Sequence, residues 1–338
     1  MAINQAPTNS TLLAIQTKVR RLTRSPSDAQ LSTADLNQYI NTGILYEFPE
    51  TLRLFNLRTT LTFYTQPNVG EYASNLTDPA DPLYDFTNRY ITIHPPVYVA
   101  GIQIQLTQSE QEFFRNWPKN AFITSVGNGD GITTNFSGAI SNIPLLRNLV
   151  NFTAIDTLGN GMVLYDVPLA GTTLTGTLFV SGTNAVAGTI NYITGAFSIA
   201  FPNAPAANTP IRSQSYSYIA AIPTIMLFYD SKFQFRPVPD QSYKVQMEVY
   251  AQPSQLLAAG DVPQLSEWWE YIAYLAAKRV FQDRQDLESV QLIMPELKLQ
   301  ERLILRRTLV QQSNQRASTI FTDGTMPYNW GNQYYGMF

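Results

Sequence analysis

Apolar residues recur at helical spacing near the start of the chain. A first helix is predicted behind Thr11, which can serve as its N-cap. A second helix is predicted to begin near Ser32 or Thr33 and to end at Pro49. The apolar positions that predict the first helix are Leu12, Ile15, Val19 and Leu22.

The same spacing returns, more strongly, towards the end of the chain. Ser266 is predicted to cap a helix whose first turn contains Glu267 and Glu270. A short link at residues 282–286 leads into a second helix over residues 287–310. Because a short connection favours antiparallel neighbours, these two helices are predicted to form an αα-hairpin.

Alternating polar and apolar residues predict strands between these helices. Residues 102–107 and 243–250 alternate, and residues 53–64 are rich in Thr and aromatic residues. A loop is predicted over residues 66–82. Ser109 is predicted to cap a short helix that ends near Trp117.

Residues 120–222 differ in composition from the rest of the chain. This region has only five charged residues and 11 of the 18 glycines, and turn signals separate short β-prone runs. Such a pattern predicts a small β-sandwich or barrel. The abrupt change of composition indicates an insertion.

Together these patterns predict an α+β fold. It would combine a helical hairpin or bundle and an antiparallel β core with an inserted all-β, sandwich-like module. The predicted boundaries are a body of residues 1–119 and 223–312, a module of residues 120–222, and an extended aromatic C-terminal tail of residues 313–338.

Composition narrows the possible functions. Only 14% of the 338 residues are charged, against about a quarter in a typical globular domain, which favours a subunit whose surface is covered in an assembly. Without cysteine, the chain has no disulfide, thiolate metal site or cysteine nucleophile. The net charge of −3 argues against nucleic acid as a tightly held ligand.

No catalytic constellation stands out, so we predict neither an enzyme nor a cofactor. His94 is the one histidine, and no serine lies in a nucleophile-elbow sequence. Asp78 and Asp81 each precede a proline and are interpreted as turn initiators instead of cation ligands. The glutamates that could form an acid/base pair look like helix-end charges.

Two basic clusters are candidate contact sites. Both lie near predicted helix C-termini, where cations also offset the helix dipole. The functional alternative is a weak, sequence-blind contact with DNA phosphates or with an acidic neighbouring subunit. The clusters are Lys18, Arg20, Arg21 and Arg24, and then Lys298, Arg302, Arg306 and Arg307.

The C-terminal tail is unusually aromatic for a segment without periodicity. A disordered tail is normally poor in aromatic residues, so these side chains are predicted to dock into a partner subunit. The alternative is that the tail folds back on its own chain. The predicted docking residues are Phe321, Tyr328, Trp330, Tyr334, Tyr335 and Phe338.

Three stretches carry a resemblance to a known family. They are residues 270–281 (EYIAYLAAKRVF), residues 109–118, and residues 228–243 with the run FRPVPD. In this order, between an N-terminal helix pair and a long basic helix, they resemble the head-to-tail adaptor (tail tubular or gatekeeper) proteins of short-tailed bacteriophages. The resemblance covers roughly residues 10–119 and 223–312.

The resemblance implies a structural virion protein. Such adaptors form a ring, typically a dodecamer, between the portal protein and the tail nozzle or tail tube protein. The hairpin helices would pack side by side, the tail would reach into the portal, and genomic double-stranded DNA would pass through without being read. The protein would be made in the host cytoplasm, with no membrane partner, which fits the absence of an apolar leader in residues 1–10.

Two other functions remain open from the sequence. A tail protein could bind a receptor or glycan through the β module, although that module lacks Trp and has few Tyr for stacking on sugars. A glycan hydrolase would require an acid/base pair that the sequence does not single out.

Overall fold

The chain divides into two units, which we name the helical unit and the β unit. The helical unit combines Met1–Thr59 with Tyr250–Phe338, and the β unit is Thr60–Val249. The structure is a computed structural model and describes residues 10–51, 57–169 and 172–313.

The described part of the helical unit is built from helices at both ends of the sequence. The helices of this unit are α1 (Leu12–Leu22), α2 (Thr33–Thr42), α3 (Phe48–Thr51), α6 (Trp269–Asp283) and α7 (Leu287–Ser313). A π-helical turn, Gly43–Glu47, continues α2 into α3, and a 3-10 turn, Ser266–Trp268, precedes α6.

Local capping explains where the first two helices begin. The Thr11 hydroxyl accepts a hydrogen bond from the Ala14 N–H, and the Ser32 hydroxyl accepts one from the Asp35 N–H at 3.1 Å. The predicted N-cap at Thr11 is confirmed, and so is the predicted start of the second helix near Ser32 or Thr33. Pro49 was expected to end the second helix, and this was wrong: the helical segment continues through the π-helical turn into α3 (Phe48–Thr51), which contains Pro49.

The core of the helical unit lies between α1, α2 and α6. Apolar side chains from these helices pack together, and α6 contributes small alanines that permit close approach. The buried positions include Leu12, Ile15, Val19, Leu36, Ile40, Ile272, Ala273, Ala276 and Val280.

Asn41 ties α2 to the segment before α6. Its buried amide donates to the Leu256 carbonyl at 2.9 Å and accepts from the Leu256 N–H at 2.8 Å. Replacing Asn41 with alanine leaves both backbone groups unpaired, so we expect a loss of about 2 kcal/mol in the free energy of unfolding. Urea denaturation followed by circular dichroism measures it, and the exposed Gln38→Ala on the same helix should change stability little.

The first sheet of the β unit has seven strands and curls into a half-barrel. Its order is β1-β15-β3-β4-β13-β14-β2, and the pair β4 and β13 is parallel. Two helices, α4 (Phe86–Arg89) and α5 (Glu110–Asn116), lie in the same unit. The strands are β1 (Arg58–Tyr64), β2 (Glu71–Ala73), β3 (Tyr90–Val99), β4 (Ile102–Thr107), β13 (Ile225–Tyr229), β14 (Lys232–Arg236) and β15 (Lys244–Ala251).

The second sheet has eight strands and closes into a near-barrel. Its order is β5-β12-β7-β8-β9-β10-β11-β6, and the two end strands approach each other. The strands are β5 (Ala121–Asn128), β6 (Asn135–Ala139), β7 (Asn151–Ile155), β8 (Gly161–Pro168), β9 (Thr175–Val180), β10 (Val186–Asn191), β11 (Ala196–Ala200) and β12 (Pro210–Tyr216).

Each curled sheet encloses its own apolar core. Alternate residues along the strands point inwards, as the period of a strand requires. The half-barrel core is rich in aromatic residues, including Phe63, Phe86, Phe233 and Phe235. The near-barrel core centres on Phe152, Leu164, Tyr192 and Phe197.

The predicted fold class is wrong. The chain is mostly β, with two large curled sheets, and is not a helical hairpin or bundle with a small inserted sandwich. The helical periods were strong in the sequence, whereas the short strands gave weak signals. The predicted loop over residues 66–82 contains strand β2. Strands β5 to β12 form a near-barrel, which agrees with the barrel alternative predicted for residues 120–222 and not with the sandwich.

Of the two helix caps predicted at Ser109 and Ser266, the first is confirmed and the second is wrong. Ser109 caps α5, since its hydroxyl accepts from the Glu112 N–H at 3.3 Å, which confirms that prediction. Ser266 does not cap α6, because the 3-10 turn places Trp268 at the N-cap position without a side-chain hydrogen bond. The predicted domain boundaries themselves stay a prediction.

Candidate functional site

The long helix α7 exposes apolar and basic side chains on one face. At about 100° per residue, Leu292, Leu299 and Leu303 fall on one stripe of the helix. Their exposed fractions are 79%, 49% and 47%, which is high for leucine. Among the described α7 side chains, Leu297 and Ile304 are buried, on the opposite side.

The second predicted basic cluster borders this stripe. Lys298, Arg302 and Arg306 are spaced four residues apart, so they form a row beside the leucines, and all three are exposed. The Arg307 side chain lies outside the described residues. We name Leu292, Lys298, Leu299, Arg302 and Leu303 the α7 outer face.

A tight turn fixes α7 against α6, which it contacts. The Gln285 N–H donates to the Gln282 carbonyl and the Asp286 N–H to the Phe281 carbonyl, with Gln285 at a φ of +58°, a Schellman ending. Asp286 then caps α7 by accepting from the Ser289 N–H at 3.0 Å, and this hydrogen bonding lowers the pKa of Asp286. Hydrogen bonds between residues close together in the sequence therefore determine the turn of the hairpin.

Polar side chains hold the hairpin turn to the rest of the helical unit. Arg284 donates to the Ser25 hydroxyl and to the Gln30 carbonyl, each at 2.9 Å. The Tyr39 hydroxyl donates to the Asp283 carboxylate, which raises the pKa of Tyr39 to about 12. These contacts hold the turn that precedes α7, and therefore also the α7 outer face, in a fixed position within the helical unit.

Two side chains of the first basic cluster make contacts within the fold, and the other two are exposed. Lys18 pairs with Glu270 at 3.3 Å, and Arg20 donates to the carbonyls of Ser27 and Leu31 and to Asp28. These two side chains are used within the fold. Arg21 and Arg24 are exposed, and they alone of the four stay open to a partner.

The six aromatic docking residues of the tail lie outside the described residues. Their predicted contact with a portal therefore stays a prediction. The residues are Phe321, Tyr328, Trp330, Tyr334, Tyr335 and Phe338.

The residues weighed for catalysis or metal binding have structural contacts. His94 on β3 lies 3.3 Å from Glu248 on β15, measured from Nδ1 to Oε2. Asp78 and Asp81 accept hydrogen bonds from backbone N–H groups two residues later, which confirms them as turn initiators. In the ranges that the structure describes, no group of three or more His, Asp or Glu side chains could hold a metal ion.

No helix among the described residues is long and apolar enough to cross a membrane.

No protein-family model matches this sequence, and no curated protein matches it. The resemblance to phage adaptors therefore stays a prediction.

Sequence reasoning missed the leucines of the α7 outer face. Their spacing of seven and four residues is visible in the sequence, but periodicity does not say which apolar stripe of a helix is covered. Two stripes alternate along α7, and only the packing of α6 shows that the stripe with Leu297 and Ile304 is the inner one.

Proposed function

We propose that this chain is a structural subunit of a homo-oligomeric head-to-tail adaptor ring in a bacteriophage virion. The ring joins a portal protein to the tail nozzle or tail tube and conducts double-stranded DNA. The observation that carries the proposal is the α7 outer face, an exposed leucine stripe on a rigidly supported hairpin.

Exposed leucine in a continuous stripe favours a protein partner. Fully burying one leucine contributes about 1.5–3 kcal/mol, and monomers seldom leave such stripes in water. A heterologous contact of the α7 outer face with the next copy, repeated around a closed ring, would bury it in every subunit. The low charge content of the chain supports extensive contact between copies.

The basic row of α7 supports a role beside DNA. Lys298, Arg302 and Arg306 can meet phosphates or acidic groups of a neighbouring copy without sequence preference. A conduit needs weak contacts, because a strongly basic channel would retain the genome. The net charge of −3 agrees with that requirement.

Replacing the three stripe leucines together tests the proposal. In Leu292→Gln/Leu299→Gln/Leu303→Gln, glutamine keeps helix propensity but removes apolar contact, so we expect the ring to dissociate to 37.9 kDa subunits. Analytical ultracentrifugation, with the chain alone and mixed with its portal ring, measures the mass.

The control variant is Leu257→Gln, which changes a leucine of 75% exposure outside α7 and should assemble like the wild type. Circular dichroism should show the same helix content in all three proteins. Unchanged assembly of the triple variant would contradict the proposal, and so would equal loss of assembly in the control.

A further inference from the structure

A cavity in the β unit is bordered by three cationic side chains. Its volume is about 230 Å³, and both sheets contribute to its wall. Lys119, Arg147 and Arg236 line it, against one acidic residue, Glu71. In a chain with 14% charged residues, three cations around one cavity are a marked concentration of charge.

Arg236 is packed into this wall instead of extending into water. Its guanidinium donates to the Phe235 carbonyl at 2.7 Å and lies 5.9 Å from the centre of the Phe113 ring. A Cβ on Gly70 would come within 2.7 Å of Nη1, so this glycine leaves the space that the guanidinium fills. Burial lowers the pKa of Arg236 to about 10.

Arg147 brings a buried donor to the same cavity. Its Nε is buried and has no hydrogen-bond partner in the described part of the chain. The guanidinium lies 6.0 Å from the centre of the Tyr192 ring. The Nη2 of the same guanidinium donates to the Thr172 carbonyl at 3.5 Å. A buried donor without an acceptor, such as this Nε, costs on the order of 1–3 kcal/mol.

The local negative charge does not balance these cations. Glu71 forms its ion pair with Lys232, at 2.9 Å. Within the described ranges, none of Lys119, Arg147 and Arg236 takes part in an ion pair. Burial is the largest cause that lowers the pKa of Lys119; the charge of Arg236 lowers this pKa further, and the charges of Glu71 and Glu110 act in the opposite direction.

We propose that this cavity binds a small, multiply charged oxyanion, a phosphate or a polycarboxylate. Guanidinium groups match the planar and tetrahedral oxygens of such anions, and the ammonium of Lys119, which lies 4.0 Å from the centre of the Phe114 ring, adds a third donor. The amides of Asn68, Asn148 and Gln234 also line the wall and can complete the coordination. A bound anion would offset the repulsion between the cations.

Calorimetric titration of the full chain tests the site. Inorganic phosphate and citrate are titrated separately in a chloride buffer, with ionic strength held constant. We expect saturable binding that weakens about tenfold in Arg147→Gln and several-fold in Lys119→Gln, as removal of a charge-assisted hydrogen bond predicts. Lys119 is exposed, so its variant should fold even if a change at Arg147 perturbs the sheet.

The matched control is Lys244→Gln, at an exposed lysine that does not line the cavity. Its affinity should equal that of the wild type. Binding of phosphate alone assigns a phosphate site, binding of citrate alone assigns a carboxylate site, and binding of both supports the general class. No saturable binding of either anion, or equal weakening by Lys119→Gln and Lys244→Gln, would overturn the proposal.

Discussion

Replacing Asp166 with alanine is expected to destabilise the near-barrel by about 4 kcal/mol or more. The buried carboxylate of this residue accepts three hydrogen bonds, each of 2.8 Å, from the N–H groups of Asn148 and Val150 and from the Tyr192 hydroxyl. A hydrogen bond to a charged group contributes about 1.5–3 kcal/mol, and neighbouring bonds are not fully additive. Alanine leaves three buried donors without an acceptor.

Asp130 provides the matched control for this change. It also accepts three hydrogen bonds, from the Ile132 N–H and from the N–H and hydroxyl of Thr133, but it is fully exposed. Water replaces its contacts, so Asp130→Ala should cost far less. Urea denaturation followed by circular dichroism compares the two. Equal losses would show that the Asp166 network does not stabilise the near-barrel.

Replacing Gly188 with alanine is expected to disrupt the pairing of β10 with β11. Gly188 has a φ of +146°, and a Cβ built there would lie 1.9 Å from the Ser198 carbonyl oxygen. That oxygen belongs to the backbone of the paired strand, so no side-chain rotation can relieve the clash. We expect a loss of about 3 kcal/mol or more in the free energy of unfolding.

Gly161→Ala is the comparison within the same sheet. A Cβ at Gly161 would meet no atom within 4 Å. Stability should therefore change little, and hydrogen exchange of the β10 and β11 amides should increase only in Gly188→Ala. Similar exchange in both variants would contradict the close approach of the two strands.

Local signals in the sequence predicted helix ends better than the overall architecture. Thr11 and Ser109 each cap a helix as predicted, and Ser32 caps the helix predicted to start near it, because a cap is a contact within four residues. The Ser266 prediction failed since a 3-10 turn intervened before α6. Caps are short-range, but the choice between α and 3-10 turns depends on packing.

The dominance of β-structure could not be read from the same signals. The strand β2 has three residues and no alternation that distinguishes it from a loop, and it forms by pairing with β14, about 160 residues away. Whether a sheet curls into a barrel or splits into a sandwich depends on which strands pair. Pairing of distant strands leaves no periodic trace in a single sequence.

For the candidate sites too, the sequence shows local clusters of residues, whereas tertiary packing decides which side chains are exposed or brought together. The basic residues of α7 were visible as a cluster, but the covering of one helix face by α6 decided which leucines stay exposed. The cationic cavity joins Lys119, Arg147 and Arg236, which are spread over more than 100 residues. Only the folding of the β unit places them around one space.

The mass of the purified full chain tests the central claim most directly. Light scattering would be measured on the chain alone and mixed with its portal ring. The adaptor proposal predicts a closed ring in at least one condition, and twelve copies of 37.9 kDa would weigh about 455 kDa. A mass of 37.9 kDa in both conditions would contradict the claim that this chain assembles through its α7 outer face.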